Sequence, residues 1–393
     1  MIFATSAGLG TLGALATLPG TLELGALTLG SALARPRVLG DAAACGKLAV
    51  IVPAHNEAAG IARCVASLLS AAQPPQGARV LVVADNCSDD TAARAREAGA
   101  EVLVRDDAER RGKGYALELG FAHALADPGV EAALVVDADT TVAPDFLLSM
   151  AAAFAPGPDG APGADGVQCR YLVSNADEHR LRNVALLAFN VARPRARERF
   201  GVSVGILGNG FGLHRRVLTA LPYTARSVVE DLEYHVMMVR AGYAMRFVEQ
   251  TSVSAAVPTT AAAESTQRAR WEGGRLRMLR ELAPSLAQDV LRGRLRSVEP
   301  LGELLLLPLA THVGTLLVVL VLPFPPTQLY AAGALALVGA HVLTSLLTSG
   351  ATRDDWSALA SAPVYVARKL ALAPAILRAS KADQEWVRTA RTP

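Results

Sequence analysis

The sequence predicts an α/β fold: a Rossmann-like, mostly parallel sheet with helices on both faces, joined to transmembrane helices and amphipathic interfacial helices. Three observations lead there. From Lys47 to Asp137 short aliphatic runs alternate with helix-compatible stretches, the pattern of a parallel sheet covered on both sides. Of 393 residues 51% are hydrophobic and only 19% charged, with mean hydropathy +0.30, too apolar for an ordinary soluble domain. The charges are also segregated: none lies between Leu304 and Thr352, and Glu23 alone precedes Arg35. A polar, catalytic-sized domain therefore sits between apolar ends.

Residues 1–35 are apolar and Gly-rich, with Pro19 and Glu23 inside. No Lys or Arg precedes Arg35, so this reads as an anchor helix rather than a signal peptide, despite the Ala32-x-Ala34 pattern. Residues 36–275 form the polar domain. Its strands are Lys47–Pro53, Arg79–Ala84, Glu101–Arg105 and Ala132–Asp137; its helices run from Glu57 to about Ala71, near Thr91–Ala98 and around Tyr115–Ala126. Ala155–Gly166 is a Gly/Pro-rich surface loop. In residues 276–300 basic and apolar side chains interleave, as in an interfacial helix. Residues 301–349 form a transmembrane hairpin. Leu301–Leu322 would span roughly 33 Å as one helix, Leu329–Ser349 is similar, and Pro323, Pro325 and Pro326 break the helix between them. Residues 350–393 form an amphipathic segment with Arg368, Lys369 and Arg378. The positive-inside rule puts Arg35, Arg37, Arg353, Arg368 and Lys369 in the cytoplasm with the central domain, and the uncharged prolyl loop outside. Arg193, Arg195, Arg197 and Arg199 read either as lipid-phosphate contacts or as a solvated charge run.

A net charge of +2 argues against a nucleic-acid partner. Cys45, Cys64, Cys87 and Cys169 have neither metal nor CxxC spacing, and read as reduced thiols.

Ligands of parallel sheets bind beyond the strands' carboxyl ends. Asp137-Ala138-Asp139 ends one strand, where i and i+2 side chains project to one side. Paired carboxylates there suit Mg²⁺ or Mn²⁺ on a diphosphate, although such a pair also caps ordinary turns. Asp85 follows an apolar strand, and Ser88, Asp89 and Asp90 can do the helix capping that would otherwise occupy it. Asn56-Glu57 ends the first strand. Gly112-Lys113-Gly114 could lay a backbone and an ammonium against a nucleotide, or be a flexible turn. Glu230 and Asp231 precede a helix, a favourable place for acids in any case. Gln267, Arg270 and Trp271 share a helix face, pairing forked donors for phosphate with a flat apolar platform for a sugar.

The order and spacing of Asp85, Asp137-x-Asp139, Glu230-Asp231 and Gln267-Arg268-Ala269-Arg270-Trp271 resemble the membrane-bound family 2 glycosyltransferases, an inverting group with a GT-A fold that includes cellulose, chitin and hyaluronan synthases. The resemblance covers roughly Lys47 to Arg275. It implies that Glu57, Asp85 and Lys113 contact the nucleotide, and that Asp137 and Asp139 contact ribose and a divalent ion, Asp139 as the direct ligand. It further implies Asp231 as general base, Arg270 on the diphosphate and Trp271 on the acceptor. Gly208-Asn209-Gly210, Glu230 and Gln267 would shape the acceptor pocket. The implied reaction moves a hexose from a nucleotide-sugar, UDP-linked, to a lipid-linked or glycan acceptor in exopolysaccharide or cell-envelope synthesis. The protein would be integral to the cytoplasmic (inner) membrane, its catalytic domain cytoplasmic, with membrane lipids as partners. Polymer synthases generally carry more spans than three. A processive synthase would therefore need an oligomer or export partners, and stands as an alternative beside a membrane-tethered nucleotidyltransferase and a non-enzymatic binding module.

Overall fold

The computed structural model describes residues 2–258 and 260–371. In chain order the elements are α1 (Ile2–Leu33), β1 (Lys47–Ala54), α2 (Ile61–Ser70), β2 (Ala78–Asp85), α3 (Thr91–Glu97), β3 (Glu101–Arg105), α4 (Lys113–Leu125) and β4 (Val130–Val135). Then come β5 (Thr141–Val142), α5 (Phe146–Phe154), β6 (Gly166–Val173), α6 (Arg180–Leu187), α7 (Arg193–Arg199), β7 (Phe211–His214), α8 (Arg215–Ala220), α9 (Glu230–Arg240) and β8 (Met245–Ala255). The rest is helical: α10 (Ala261–Leu291), α11 (Val298–Leu305), α12 (Leu309–Val321), α13 (Pro325–Ser349), α14 (Arg353–Ala358) and α15 (Ala362–Leu370). Two compact units divide these elements. One holds residues 35–176, 202–258 and 260; the other holds residues 2–34, 177–201 and 261–371.

The first unit is built on an eight-stranded sheet of order β3-β2-β1-β4-β7-β6-β8-β5. Its leading half, β3-β2-β1-β4, is parallel throughout. The other half is mixed: β7 runs antiparallel to β4 and β6, and β5 antiparallel to β8, while β6 and β8 are parallel. Within that half, β1, β2 and β4 carry fully buried aliphatic runs, Leu48–Val52, Leu81–Ala84 and Ala132–Val135, because helices cover both faces, whereas the edge strand β3 is part-exposed. Cys45, Cys64 and Cys169 are buried free thiols and Cys87 a half-buried one. One expected element is shorter than its hydrophobic run. β4 stops at Val135, so Asp137-Ala138-Asp139 lies in the turn beyond it. The pleat argument for a shared side therefore does not hold, and the turn itself, closed by the Thr140 amide on the Asp137 carbonyl at 3.0 Å, sets the two carboxylates.

In the second unit α1 and α13 are long and apolar enough to cross a membrane. Leu9, Leu12, Leu15, Leu22, Leu29 and Leu33 stand exposed along α1. Its other side bears polar groups: Thr17 and Thr21 bond the Tyr330 hydroxyl at 3.0 and 2.9 Å, and Thr28 bonds His341 at 3.1 Å. Such pairs satisfy polar atoms where water is absent. The expected straight span over Leu301–Leu322 is not observed. α11 and α12 meet at a 73° bend, at Pro308, which has no amide to donate and disfavours helix in the residue before it. The thirteen residues of α12 reach roughly 20 Å, short of a ~30 Å hydrocarbon core. The expected helix break is present: α12 ends at Val321, Pro323 lies in the gap, and Pro325 and Pro326 start α13 at its first positions. α10 runs unbroken from Ala261 to Leu291, so the boundary expected at residues 275/276 lies inside a helix. α15 carries Arg368 and Lys369 in its last turn; Arg378 and residues 372–393 lie outside the described residues.

Of the four arginines on α7, Arg199 is exposed, whereas Arg193, Arg195 and Arg197 are turned into the protein and held by specific partners. Arg193 and Arg197 are buried and pair with Glu303 at 3.0 and 2.8 Å. Arg197 also reaches Glu299 at 2.7 Å and Glu23 of α1 at 3.2 Å. Arg195 donates to the Ser31 and Ala34 carbonyls at the end of α1, where a cation meets the negative end of the helix.

Candidate active site

Chain reversals at the carboxyl ends of β1 and β2 fix the first part of the site. Asn56 and Asn86 adopt left-handed backbone (φ 55° and 51°), a conformation asparagine tolerates better than most residues. The Asn56 side chain accepts from the Ser88 amide at 2.7 Å, and that of Asn86 from the Asp107 amide at 2.8 Å, tying successive strand ends together. Asp85 is buried, one oxygen accepting from Arg105 at 2.6 Å and from Asn86 at 3.0 Å. Burial pushes its carboxyl up despite the pull of Arg105. The Asp85 carbonyl bonds His55 Nδ1 at 2.7 Å. Glu57 is half-buried, its amide donating to Thr91 Oγ1 at 2.8 Å. Asp89, rather than the N-cap Asp90, accepts from the Thr91 amide at 3.0 Å.

The second part forms where β7 pairs antiparallel with β4. Val135 opposes Phe211, so the residues entering β7 lie beside those leaving β4. The Asn209 side chain accepts from the Asp137 amide at 3.1 Å and donates to buried Thr140 at 2.9 Å. Lys113 opens α4 after Gly112 (φ 128°). Its ammonium donates to Asp137 Oδ1 and to the Gly208 carbonyl, both at 2.6 Å, with Glu230 Oε1 at 3.9 Å. Burial works against that charge, but Asp137, Glu230 and Asp231 raise the lysine pKa on balance. Gly114 lies in the first turn of α4, where a Cβ would stand 2.2 Å from the Ala225 carbonyl, so Lys113 and Gly114 form a closely packed helix start rather than a flexible turn. Glu230 and Asp231 open α9, and Glu233 holds the approach by accepting from the Arg226 and Ser227 amides at 3.0 and 2.8 Å. Burial pushes Glu230 up to about 7, against the opposing charge of Lys113. Gly208 (φ 77°) has Asp231 Oδ2 3.0 Å from where a Cβ would stand.

Lys113, Asp137, Gly208, Asn209, Glu230 and Asp231 are thus brought together, with Asp139 on the same turn as Asp137. Carboxylate oxygens, an ammonium and a half-buried acid at one point can bind a charged phosphate-bearing ligand and move a proton. Gln267, Arg270 and Trp271 belong to α10 in the other unit. There buried Gln267 accepts from Arg182 at 2.7 Å, and Trp271 is 43% exposed. Sequence reasoning passed over Arg105 and Gln168, although it had singled out Asn86 beside Asp85. Arg105 ends β3, a position like those of the other strand-end residues, whereas Gln168 stands inside an apolar strand.

Comparison with known proteins adds the family. The model of the family described as "Glycosyltransferase like family 2" matches residues 46–274. "Probable glycosyltransferase YdaM" of Bacillus subtilis (strain 168) is 26% identical over 238 residues, 58% of this chain and 55% of that protein. The match thus spans about half of that relative's length. Among solved structures, the mannosyltransferase PcManGT from Pyrobaculum calidifontis, in complex with GDP-Man and Mn²⁺, matches 97% of this chain and 98% of its own with TM-score 0.59. At 18% identity that likeness is one of fold. Glucosyl-3-phosphoglycerate synthase from Mycobacterium tuberculosis, in complex with Mg²⁺ and uridine-diphosphate, covers 59% of this chain and 79% of its own, with 24% identity and TM-score 0.41.

Proposed function

Because the chain belongs to the glycosyltransferase-like family 2, we propose that it is an inverting enzyme moving a hexose from a nucleotide-sugar to a lipid-linked or glycan acceptor at the cytoplasmic face of a membrane. The observation that carries this reading is the convergence of Lys113, Asp137, Glu230 and Asp231 on the loop before β7. Asp231 is the general base: it takes the acceptor hydroxyl's proton as that oxygen attacks the anomeric carbon and the diphosphate departs from the opposite side. A base so placed contributes typically about 10²–10⁴-fold. Lys113 holds Asp137 in place, and Glu57 and Asp85 flank the nucleoside. The donor is UDP-linked by the motif resemblance, which also assigns Arg270 to the diphosphate and Trp271 to the acceptor.

The donor set fits a divalent ion. Asp137 and Asp139 present hard carboxylate oxygens on one tight turn, with Lys113 donating to Asp137 Oδ1. Mg²⁺ or Mn²⁺ bound there supplies electrostatic stabilisation of the departing diphosphate. Transfer of one or a few sugars fits this chain better than extrusion of a polymer. Two long apolar helices and one bent pair give little with which to line a hydroxyl-rich path through lipid.

Purified protein incubated with membrane lipids and a panel of UDP- and GDP-hexoses tests the reading through nucleotide release. EDTA abolishes release, Mg²⁺ or Mn²⁺ restores it, and Asp139→Asn weakens nucleotide binding only when metal is present. No release with any donor overturns the proposal.

A further inference from the structure

Gln168 lies in β6 with its side chain fully buried, where an amide is costly unless hydrogen-bonded. Here it is heavily bonded. Nε2 approaches the carbonyls of Asn209 at 2.8 Å and of Gly210 and Cys169 at 3.1 Å. Oε1 accepts from the Leu207 amide at 2.9 Å. One side chain therefore grips residues 207–210 at both ends. From that segment three links run to the reacting groups. The Gly208 carbonyl holds Lys113, the Asn209 side chain holds the Asp137 amide, and Gly208 borders Asp231. Gly210, with φ 67°, packs closely against β6, since a Cβ there would lie 2.7 Å from Cys169 Sγ.

We propose that Gln168 is a positioning residue of the transfer reaction, holding the segment 207–210 so that the Asp137–Asp139 turn, Lys113 and Asp231 keep their mutual geometry. This rests on the transferase reading above. Its physical basis is the asymmetry of buried hydrogen bonds: removing the amide takes the Gln168 partner from the Leu207 amide and the Asn209 carbonyl at once, while the Gly210 carbonyl keeps the Cys169 amide at 2.9 Å, and the loop moves to find water. Displacement of catalytic groups by ~1 Å can cost 10²-fold in rate.

The test uses the full-length protein and two variants. Gln168→Met keeps the volume and removes every hydrogen bond. We expect kcat to fall about 10²-fold, with amide hydrogen exchange rising in peptides covering residues 204–212 and 136–142 and unchanged across β2. Gln168→Glu, when protonated, keeps the bond from Leu207 and one donation. Its activity relative to the parent should fall as pH rises from about 6 to about 9, as the buried acid ionises. A Gln168→Met variant with kcat within about twofold of the parent, or exchange raised uniformly over the sheet, overturns the proposal whatever its Tm. If Gln168→Met does not fold, Gln168→Glu decides, and a pH-independent activity ratio overturns it. Exchange needs no turnover, so parent protein that releases no nucleotide refutes the transferase reading while the loop-ordering role is still measured.

Discussion

Two glycine-to-alanine substitutions separate backbone strain from damage to the proposed base. Gly208 and Gly77 share a left-handed backbone, φ 77° and 80°. Alanine in that region costs roughly 1–2 kcal/mol. The positions differ in what the new methyl would meet: at Gly77 nothing lies within 4 Å, while at Gly208 Asp231 Oδ2 lies at 3.0 Å and its carboxyl carbon at 3.7 Å. Gly77 precedes β2, at the end of the strand opposite Asp85. Both variants should therefore lose a similar amount of stability, roughly 2–8 °C in Tm for a domain of 150–250 residues. Gly208→Ala must also displace the Asp231 carboxylate by a few tenths of an ångström. If ~1 Å costs about 10²-fold, that displacement costs roughly tenfold in kcat. Thermal unfolding in detergent and initial rates of nucleotide release measure both quantities. The reasoning fails if Gly77→Ala loses as much kcat as Gly208→Ala, or if Gly208→Ala keeps the parent kcat while Tm drops.

Asp231→Asn can still accept from the Leu232 amide at 2.8 Å but cannot take a proton. Rapid-mix kinetics should show a kcat loss of about 10²–10⁴-fold with donor affinity nearly intact. Burial raises Glu230 from 4.5 to about 7, so the folded protein keeps a proton there that the unfolded chain has released. Its contribution is full below about pH 4.5 and is lost as pH rises to about 7. Tm measured across that window should decline less in Glu230→Gln than in the parent, and parallel curves would contradict the assignment. Arg197→Met removes the cation that Glu23, Glu299 and Glu303 share, while Glu303 keeps Arg193 at 3.0 Å. Losing one partner of a buried ion cluster costs about 3–5 kcal/mol, read as a large Tm drop with donor binding by the remaining folded protein unchanged.

What the sequence determined by itself is the local part. Aliphatic runs such as Leu48–Val52 and Leu81–Ala84 can be buried on both faces only in a helix-covered parallel sheet. The acids that follow them therefore sit at strand ends, whatever the rest of the chain does. The apolar character of α1 and α13 is equally local. The bend at Pro308 was also written in the sequence, but the length of the apolar run concealed it. Tertiary structure decided the rest. Nothing near Gly208 or Asn209 announces that they adjoin Asp137; that follows from β7 pairing with β4 through Val135 and Phe211, 76 positions apart in the chain. Gln168 looks like an unremarkable polar residue between Val167 and Cys169 until the loop it grips folds over it. Arg193 and Arg197 read as surface charge because their partners Glu23, Glu299 and Glu303 come from two distant helices. The physical reason is common to all three. Local conformation depends on hydrophobic spacing that neighbouring residues express, whereas a buried polar group is explained only by partners that long-range pairing brings to it.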